Sequence, residues 1–276
     1  MSVQVPTRRL NDGRAMPQIG FGVFQLPDAE APGIVGRALR AGYRSIDTAA
    51  IYGNERGVGE AIRAAEVARD DLFVTTKLWN DSQGRDAARR GFDGSLARLG
   101  LDRVDLYLIH WPCPDRSLYV ETWKALIDLR AEGRARSIGV SNFTTAHLER
   151  IIGETGVVPA VNQIELHPHF QQAALRTFHD RHGIVTESWS PLGQGRELAD
   201  PALARIAEAH GRTPAQVALR WHVENGLVAI PKTATPSRIA ENIAVFDFAL
   251  APEESAAIAR LDQADGRIGP DPESFC

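Results

Sequence analysis

Residues 72–110 read LFVTTKLWNDSQGRDAARRGFDGSLARLGLDRVDLYLIH and contain one complete structural unit. The unit begins with Leu72–Leu78 and ends with Val104–His110, two short apolar runs without the polar alternation of a half-exposed strand. Between them, Asp86–Leu99 has the apolar spacing of an amphipathic helix. This order predicts a strand–helix–strand unit whose parallel strands are buried on both faces.

The same alternation extends in both directions from this unit. The starts of successive apolar runs lie 24 to 43 residues apart, which leaves room for a helix in every gap. Eight such strands alternating with helices predict an α/β fold, the (β/α)8 TIM barrel. The six further runs are Gly20–Val23, Arg44–Asp47, Arg136–Ser141, Ala160–Glu165, Ile184–Ser190 and Leu227–Lys232.

Local signals indicate where several elements begin or turn. Asn11-Asp12-Gly13 lies between two short β-rich segments and predicts an N-terminal β-hairpin. Thr213-Pro214-Ala215-Gln216 predicts a helix start with reciprocal Thr and Gln caps. Tyr119–Arg130 predicts a further amphipathic helix. No low-complexity linker divides the chain, so we expect a single barrel domain over residues 1–276.

The main competing fold is a doubly wound sheet with a dinucleotide-binding loop. That loop needs the pattern Gly-x-Gly-x-x-Gly after an early strand. Gly20-Phe21-Gly22 is followed by Gln25 at the third position, and Gly193-Gln194-Gly195 is followed by Leu198. Because both candidates lack the third glycine, the sequence favours the barrel.

The composition excludes several classes of protein. Hydrophobic residues make up 43% of the 276 residues, and the net charge is −4 without any basic run, which argues against nucleic acid as a partner. No apolar run approaches the ~18 residues that a membrane span needs. The two cysteines, Cys113 and Cys276, give no disulfide framework and fit a reducing compartment. We therefore expect a cytoplasmic protein.

Polar, ionisable and aromatic residues follow one strand after another, at the C-terminal ends where the active site of a TIM barrel lies. The 31 basic residues include only three lysines, and two of them, Lys77 and Lys232, fall at these ends, whereas Lys124 does not. Packing alone would not produce this distribution, so it favours a functional site. The strand-end residues are Asp47, Lys77, His110, Ser141, Asn142, Gln163, Glu165, Trp189 and Lys232.

Five segments resemble motifs of the aldo-keto reductase family. One such motif would be weak evidence, but five of them in order at strand ends are specific. The resemblance extends from the hairpin to about Leu261 and is strongest to the bacterial 2,5-diketo-D-gluconate reductase group. The segments are Asp47–Glu55 (DTAAIYGNE), Thr75–Trp79 (TTKLW), Leu108–Pro112 (LIHWP), Gly139–Phe143 (GVSNF) and Asn162–Pro168 (NQIELHP).

This resemblance implies an NADPH-dependent enzyme that reduces aldehydes and ketones to alcohols. Tyr52 would be the proton donor, a role worth roughly 10²–10⁴-fold in rate. The Lys77 ammonium would stabilise the phenol anion, and Asp47 would keep Lys77 charged and oriented. His110 would hydrogen-bond the substrate carbonyl and stabilise its oxygen in the transition state.

The resemblance also implies a set of cofactor-binding residues. In the family, the carboxamide of nicotinamide binds near the fifth and sixth strands, and an aromatic residue stacks on the ring. Thr235 and Pro236 predict a helix start, and a helix N-terminus beside Lys232 and Arg238 is on physical grounds a phosphate site. The implied residues are Ser141, Asn142 and Gln163 for the carboxamide, Trp189 for the ring, Lys232, Thr233 and Arg238 at the phosphate site, and Glu241 and Asn242 near the adenine.

The substrate pocket would be lined by Phe24, Trp79, Trp111 and the residues after Leu261. This last segment is short and polar, which suggests an open pocket for small polar carbonyls. Candidate substrates are small aldehydes, dicarbonyls such as methylglyoxal, and keto sugars such as 2,5-diketogluconate. We expect the protein to act on them as a monomer.

The same residues leave two other functions open. Lys77 could form a Schiff base in an aldolase, or the barrel could bind NADPH without catalysis. The intact set of Tyr52 and its three neighbours counts against the non-catalytic role. We expect no metal, because the pairs His167 and His169, and His179 and His182, lack a further set of ligands.

Overall fold

The eight apolar runs form the eight parallel strands of a barrel in the computed structural model, which describes residues 5–276. Each strand pairs with the next one along the chain, which confirms the predicted α/β barrel. Residues 1–4 of the predicted domain lie outside the described residues. The strands are β3 (Phe21–Gly22), β4 (Ser45–Asp47), β5 (Phe73–Leu78), β6 (Val104–Ile109), β7 (Ala135–Ser141), β8 (Val161–Glu165), β9 (Val185–Trp189) and β10 (Val228–Ala229).

Hydrogen bonds between the first and the last strand region close the barrel. The Gly20 N–H donates to the Ala229 carbonyl (2.9 Å), and the Ala229 N–H donates to the Gln18 carbonyl (2.9 Å). The Gly22 N–H donates to the Pro231 carbonyl at 3.2 Å. Because the sheet closes on itself, the C-terminal ends of all eight strands surround one rim.

Helices pack around the outside of the barrel. The predicted helices Asp86–Leu99 and Tyr119–Arg130 appear as α3 and α4, each within one residue of its expected ends. Within the described residues, every helix is too short or too polar to span a lipid bilayer. The helices are α1 (Ala31–Ala41), α2 (Glu55–Ala64), α3 (Arg85–Leu99), α4 (Tyr119–Ala131), α5 (Thr145–Thr155), α6 (Ala173–His182), α7 (Pro201–His210), α8 (Pro214–Glu224), α9 (Pro236–Ile243) and α10 (Pro252–Ala259).

The longest gap between predicted strands holds two helices, α7 and α8. The start of α8 has the predicted reciprocal caps. The Gln216 N–H donates to the Thr213 hydroxyl (3.2 Å), and the Thr213 N–H donates to the Gln216 side-chain carbonyl (3.1 Å). This confirms the helix start that the sequence predicts.

The predicted hairpin closes the N-terminal end of the barrel. Its strands β1 (Thr7–Arg9) and β2 (Ala15–Pro17) are antiparallel, and Gly13 in the turn has a φ of 89°, which favours glycine. Met16 is completely buried among apolar side chains from the barrel strands. Since the hairpin covers this end, the opposite end is left for the functional site.

We expect Met16→Ala to lower the free energy of unfolding by about 2–5 kcal/mol, because it leaves a cavity in a close-packed region. Met16→Leu is the matched control and should cost less than ~1.5 kcal/mol, since it conserves most of the volume. Urea unfolding followed by circular dichroism measures both. Equal stability of Met16→Ala and wild type would contradict the role of the hairpin in the core.

Candidate active site

A buried lysine lies at the centre of the rim. Lys77, near the end of β5, has no exposed surface, and its Nζ donates to Asp47 Oδ1 (2.6 Å) and to the Thr48 carbonyl (3.0 Å). Burial alone would lower the pKa of Lys77, but the charge and hydrogen bond of Asp47, together with Tyr52 and Glu187, raise the pKa above its ordinary value. Lys77 is therefore an ammonium.

Tyr52 lies beside this ammonium on a short 3₁₀ helix, Ala50–Tyr52, that follows β4. Lys77 Nζ donates to the Tyr52 hydroxyl at 3.5 Å and lies 5.1 Å from the centre of the Tyr52 ring. Burial raises the pKa of Tyr52, and the charge of Lys77 opposes that shift without reversing it. At neutral pH the phenol is therefore protonated and lies next to a positive charge.

Local hydrogen bonds hold the loop that carries Tyr52. The Asn54 side-chain amide donates to the carbonyls of Val23 (2.9 Å) and Leu26 (3.0 Å), and its oxygen accepts from the Thr48 hydroxyl (2.8 Å). Gly53 ends the 3₁₀ helix with a φ of 68°, a conformation that other residues rarely adopt. The loop after β4 is thus fixed on both sides of Tyr52.

His110 faces the same space from the end of β6. Its ring centre lies 5.7 Å from that of Tyr52 and 5.2 Å from that of Trp79, both in edge-to-face geometry. Burial, together with the nearby charge of Lys77, keeps the pKa of His110 well below its ordinary value. The ring is therefore neutral, and within residues 5–276 its buried Nδ1 has no hydrogen-bond partner.

The Lys77–Asp47 pair continues through Gln163 to a second buried carboxyl group. Gln163 Nε2 donates to Asp47 Oδ2 (2.9 Å) and to Glu187 Oε2 (2.8 Å). Glu187 lies in the middle of β9 and is completely buried. Burial, followed by the negative charge of Asp47, raises the pKa of Glu187 to about 8. At neutral pH this carboxyl group is largely protonated.

Sequence reasoning missed Glu187. The available signal was an acidic residue in the middle of the apolar run Ile184–Ser190, where a buried charge needs a reason. The strand period identifies this position as buried, but it does not show that the side chain meets Gln163 on the adjacent strand β8.

Ser141, Asn142 and Trp189 form a connected group at the rim. The Asn142 amide donates to the His110 carbonyl (2.9 Å), and its oxygen accepts from the Trp189 indole (2.7 Å). The Ser141 hydroxyl donates to the Gln163 carbonyl (2.8 Å). The structure thus brings together all four residues predicted near the nicotinamide, although their roles stay predictions.

The predicted phosphate site lies at the start of α9. Pro236 is its first residue, as predicted, and the preceding Thr235 side chain caps no N–H group. Lys232 and Arg238 are exposed beside this end, and neither forms an ion pair with any residue in the range 5–276. Thr233 is nearly buried and its hydroxyl accepts from the Thr235 N–H (3.1 Å). Two cations and free N–H groups of the first turn can take an anion.

The two residues predicted near the adenine lie further along α9. Glu241 accepts a hydrogen bond from the Thr213 hydroxyl (2.7 Å), so its carboxylate is partly engaged with α8. Asn242 is buried, with 3% of its surface exposed. Both side chains are therefore on the helix that carries the phosphate site, and their contact with a nucleotide stays a prediction.

Aromatic side chains form one wall of the rim, and they include all three predicted pocket residues. Phe24 is 53% exposed, with its ring 5.0 Å from that of Tyr52. Between ring centres, Trp79 lies 5.2 Å from His110, and Trp111 lies 4.5 Å from Phe275. Phe275 shows that the segment after Leu261 returns to the pocket, as the sequence predicts.

The expectation that Cys113 and Cys276 give no disulfide is wrong. Cys113 is bonded to Cys276, with 4.6 Å between their Cα atoms. The two residues are 163 positions apart in the sequence. The pairing depends on the path of the chain after α10, which returns across the rim to the loop after β6, and no local pattern encodes that path.

In each of the two histidine pairs, one histidine is buried and hydrogen-bonded to other protein side chains. His167 lies between the carboxylates of Glu165 and Glu197, 3.2 Å from each. Burial would lower the pKa of His167, but the hydrogen bonds to both carboxylates raise it to about 9. His179 is buried between Asn162 and Thr186. Among residues 5–276, no three candidate ligands are grouped so that they could hold a metal ion.

We expect Glu187→Gln to flatten the dependence of stability on pH. A carboxyl group whose pKa is raised to about 8 on folding stabilises the folded state below its unfolded pKa of roughly 4.3, and that contribution is lost as the pH rises to 8. An amide does not ionise and can still accept from Gln163. Urea unfolding of both proteins between pH 5 and pH 8 should show the variant becoming the more stable one, whereas parallel profiles would contradict the shifted pKa.

Comparison with known proteins identifies the family. A model of the Aldo/keto reductase family matches residues 18–263. Methylglyoxal reductase DkgA of Escherichia coli (strain K12) is 53% identical over 269 residues, which cover 97% of each chain. An aldo-keto reductase of Mycolicibacterium smegmatis is 54% identical over 270 residues, which cover 98% of each chain.

Solved structures show the same similarity. A variant of Gox0644 in complex with NADPH has a TM-score of 0.96 at 52% identity, covering 99% of both chains. The Bombyx mori aldo-keto reductase in complex with NADP has a TM-score of 0.89 at 40% identity, covering 95% of this chain and 94% of the other. The family match spans the site from Phe24 to Asn242. The chain therefore belongs to the aldo/keto reductase family.

Proposed function

We propose that this protein is an NADPH-dependent reductase that converts aldehydes and ketones to alcohols, with Tyr52 as the proton donor. The observation that carries the proposal is the Tyr52 hydroxyl 3.5 Å from the ammonium of Lys77, in a pocket that also contains a neutral His110. These groups match what carbonyl reduction needs from a protein, namely a proton, a stabilised donor anion and a hydrogen bond to the substrate oxygen.

The proton step uses residues of this chain. The protonated Tyr52 gives its proton to the carbonyl oxygen, and the phenolate left behind is stabilised by Lys77. Asp47 keeps Lys77 charged through the 2.6 Å contact, so the positive charge is in place before the proton moves. A ring nitrogen of His110 donates to the same oxygen and orients the carbonyl.

The residues present fit a dinucleotide phosphate. When bound, NADPH supplies the hydride that reduces the carbonyl carbon. Lys232 and Arg238 lie beside the uncapped start of α9, where a 2′-phosphate dianion would be compensated by two positive charges. At the other end, Gln163 uses only its Nε2 in hydrogen bonds within residues 5–276, so its Oε1 can accept from a carboxamide. Solved relatives named as complexes with NADPH and NADP support this choice.

The substrate class follows from the rim and the relatives. The walls formed by Phe24, Trp79 and Trp111 are aromatic, and the groups that meet the carbonyl are Tyr52 and His110. Several relatives at 53–54% identity are named methylglyoxal reductase DkgA. Methylglyoxal and similar small dicarbonyls are therefore the first substrates to test, followed by small aldehydes and keto sugars such as 2,5-diketogluconate.

The alternative aldolase function does not agree with the state of Lys77. A Schiff-base lysine must reach its neutral, nucleophilic form, which burial without a counterion favours. Here the pKa of Lys77 is raised by Asp47, and the ammonium is occupied by three acceptors. The non-catalytic alternative gives no reason for the Tyr52–Lys77 contact.

We further propose that residues 1–276 act as one domain, as a monomer and in the cytoplasm.

Replacing Tyr52 by Phe should lower kcat with methylglyoxal by about 10²–10⁴-fold, because it removes the proton donor alone. Affinity for NADPH, measured by quenching of tryptophan fluorescence, should stay close to that of wild type. Tyr119→Phe is the control, since it removes a hydroxyl that accepts from Arg150 and that, within residues 5–276, forms no hydrogen bond with Tyr52, Lys77 or His110. Wild-type turnover by Tyr52→Phe would exclude this proton donor.

Replacing Lys232 or Arg238 by Ala should weaken NADPH binding by about 10–100-fold, since each removes a charge-assisted contact to phosphate. NADH, which lacks the 2′-phosphate, should bind almost as it does to wild type. Lys124→Ala is the matched control, because Lys124 is a surface lysine paired with Glu121 on α4. Equal losses for NADPH and NADH would refute the phosphate site.

A further inference from the structure

The tail, defined as residues 260–276, crosses from α10 back to the rim of the barrel. The carboxylate of Glu165 anchors its middle by accepting from the N–H groups of Ile268 (2.5 Å) and Gly269 (2.9 Å). A Cβ atom at Gly269 would overlap the indole of Trp189. The middle of the tail is thus held by a buried carboxylate, directly beside the aromatic residue predicted to stack on the nicotinamide.

Beyond this anchor, the tail reaches the substrate side of the rim. The half-buried ring of Phe275 lies 4.5 Å from Trp111 and 6.5 Å from Trp79, measured between ring centres. Trp79 in turn packs on His110. Phe275 is therefore the outer layer of an aromatic wall that ends at the residue predicted to bind the substrate carbonyl.

Few other contacts hold the last part of the tail against the barrel. The N–H groups of Ser274 and Phe275 donate to the carbonyl of Asp271, so these bonds lie within the tail itself. Within residues 5–276, no hydrogen bond joins residues 270–276 to the barrel. Glu273 approaches His147 at 3.9 Å, but burial lowers the pKa of His147 and leaves it neutral.

The covalent attachment of this segment is the bond between Cys113 and Cys276. Cys113 follows Trp111 by two residues and is completely buried, whereas Cys276 is exposed. The Cα separation of 4.6 Å lies within the usual disulfide range, so the bond needs no movement of the backbone. A small thiol or disulfide in solution can reach the exposed side of the bond.

We propose that Cys113 and Cys276 form a reversible disulfide that fastens Phe275 over the substrate rim, so that the thiol state of the enzyme sets the size of carbonyl that it accepts. This inference rests on the proposed reductase function. With the disulfide formed, Phe275 narrows the opening beside Trp111 and Trp79. With the two thiols free, residues 270–276 are held by side-chain packing alone and can swing away from the rim.

The redox step is an exchange with a low-molecular-weight disulfide. One cysteine thiolate attacks that disulfide and releases one small thiol, and the second cysteine then displaces the other. The protein loses two electrons and two protons, and the small disulfide gains them as two thiols. A small thiol in excess reverses both steps. In a reducing compartment the open form is therefore the resting state, and a rise in oxidised thiols closes it.

The test compares the full-length enzyme after treatment with dithiothreitol and with hydroxyethyl disulfide. A chromogenic thiol reagent, applied after denaturation, should count two free thiols in the first state and none in the second. We then measure kcat/KM for methylglyoxal and for 2-naphthaldehyde, a bulky aromatic aldehyde. Oxidation should lower the ratio of kcat/KM for 2-naphthaldehyde to kcat/KM for methylglyoxal by about tenfold or more. This is the scale on which a pocket wall discriminates between substrates.

Two variants separate the covalent link from the aromatic wall. After either treatment, Cys276→Ser should show the same ratio of the two kcat/KM values as reduced wild type, because this variant cannot form the disulfide. Phe275→Ala should still form the disulfide but lose the change in ratio, because the blocking ring is gone. A wild-type ratio that is independent of the thiol state would overturn the proposal, and so would two remaining free thiols after oxidation.

A second measurement does not depend on turnover. Acrylamide quenching of tryptophan fluorescence reports access to the indoles at the rim, Trp79, Trp111 and Trp189, and it should be weaker in oxidised than in reduced wild type. In Cys276→Ser it should be the same under both treatments. If neither aldehyde is reduced in either thiol state, the proposed reductase function is wrong, and the quenching alone then tests whether the disulfide holds the tail over the rim. Equal quenching of oxidised and reduced wild type would refute that closure.

Discussion

A lysine ammonium without any exposed surface is the constraint on which the rest of this site depends. An unpaired charge in a protein interior costs several kcal/mol, so Lys77 needs a negative partner at hydrogen-bond distance. Asp47 supplies it with one oxygen and needs a donor for the other. Gln163 supplies that donor, and the same amide nitrogen reaches Glu187. One buried charge thereby specifies side chains on β4, β5, β8 and β9.

The same charge sets the protonation of the groups around it. Burial lowers the pKa of His110 and the charge of Lys77 adds to that shift, so this ring stays neutral; the same charge partly opposes the effect of burial on the pKa of Tyr52. Burial, followed by the negative charge of Asp47, raises the pKa of Glu187 to about 8, so this second carboxyl group stays largely protonated at neutral pH. A proton donor, a neutral hydrogen-bonding ring and a positive charge result from one ion pair in a closed space.

The two ends of the barrel have different roles: one is closed by the hairpin, and the other carries the candidate active site and the tail. The hairpin, with Met16 at its centre, fills the N-terminal end of the barrel. At the opposite end, residues 268–276 of the tail are attached to the barrel by hydrogen bonds to Glu165 and by the bond to Cys113 at the substrate side. The first attachment consists of hydrogen bonds to a buried carboxylate, while the second is covalent and chemically reversible. That difference makes the end of the tail the part suited to regulation.

Much of the fold could be predicted from the sequence because its signals are local. The apolar runs mark all eight strands within a few residues, and Thr213 with Gln216 marks the start of α8. The predicted site residues, from Asp47 to Lys232, gather at one rim because parallel strands of a closed barrel end on the same side. The strands β3 and β10 are shorter than predicted, since backbone bonds outside the regular ladder complete their pairing.

By itself, the sequence determined the alternation of strands and helices, the hairpin, and the residue types at each strand end, all of which depend on neighbours a few positions apart. Tertiary structure alone decided that Glu187 faces Gln163, that Glu165 anchors the tail, and that Cys113 meets Cys276. These contacts join residues that lie 24 to 163 positions apart in the chain. Hydrophobic periodicity predicts which side chains are buried. Which group each of them contacts depends on how the closed barrel brings distant parts of the chain together.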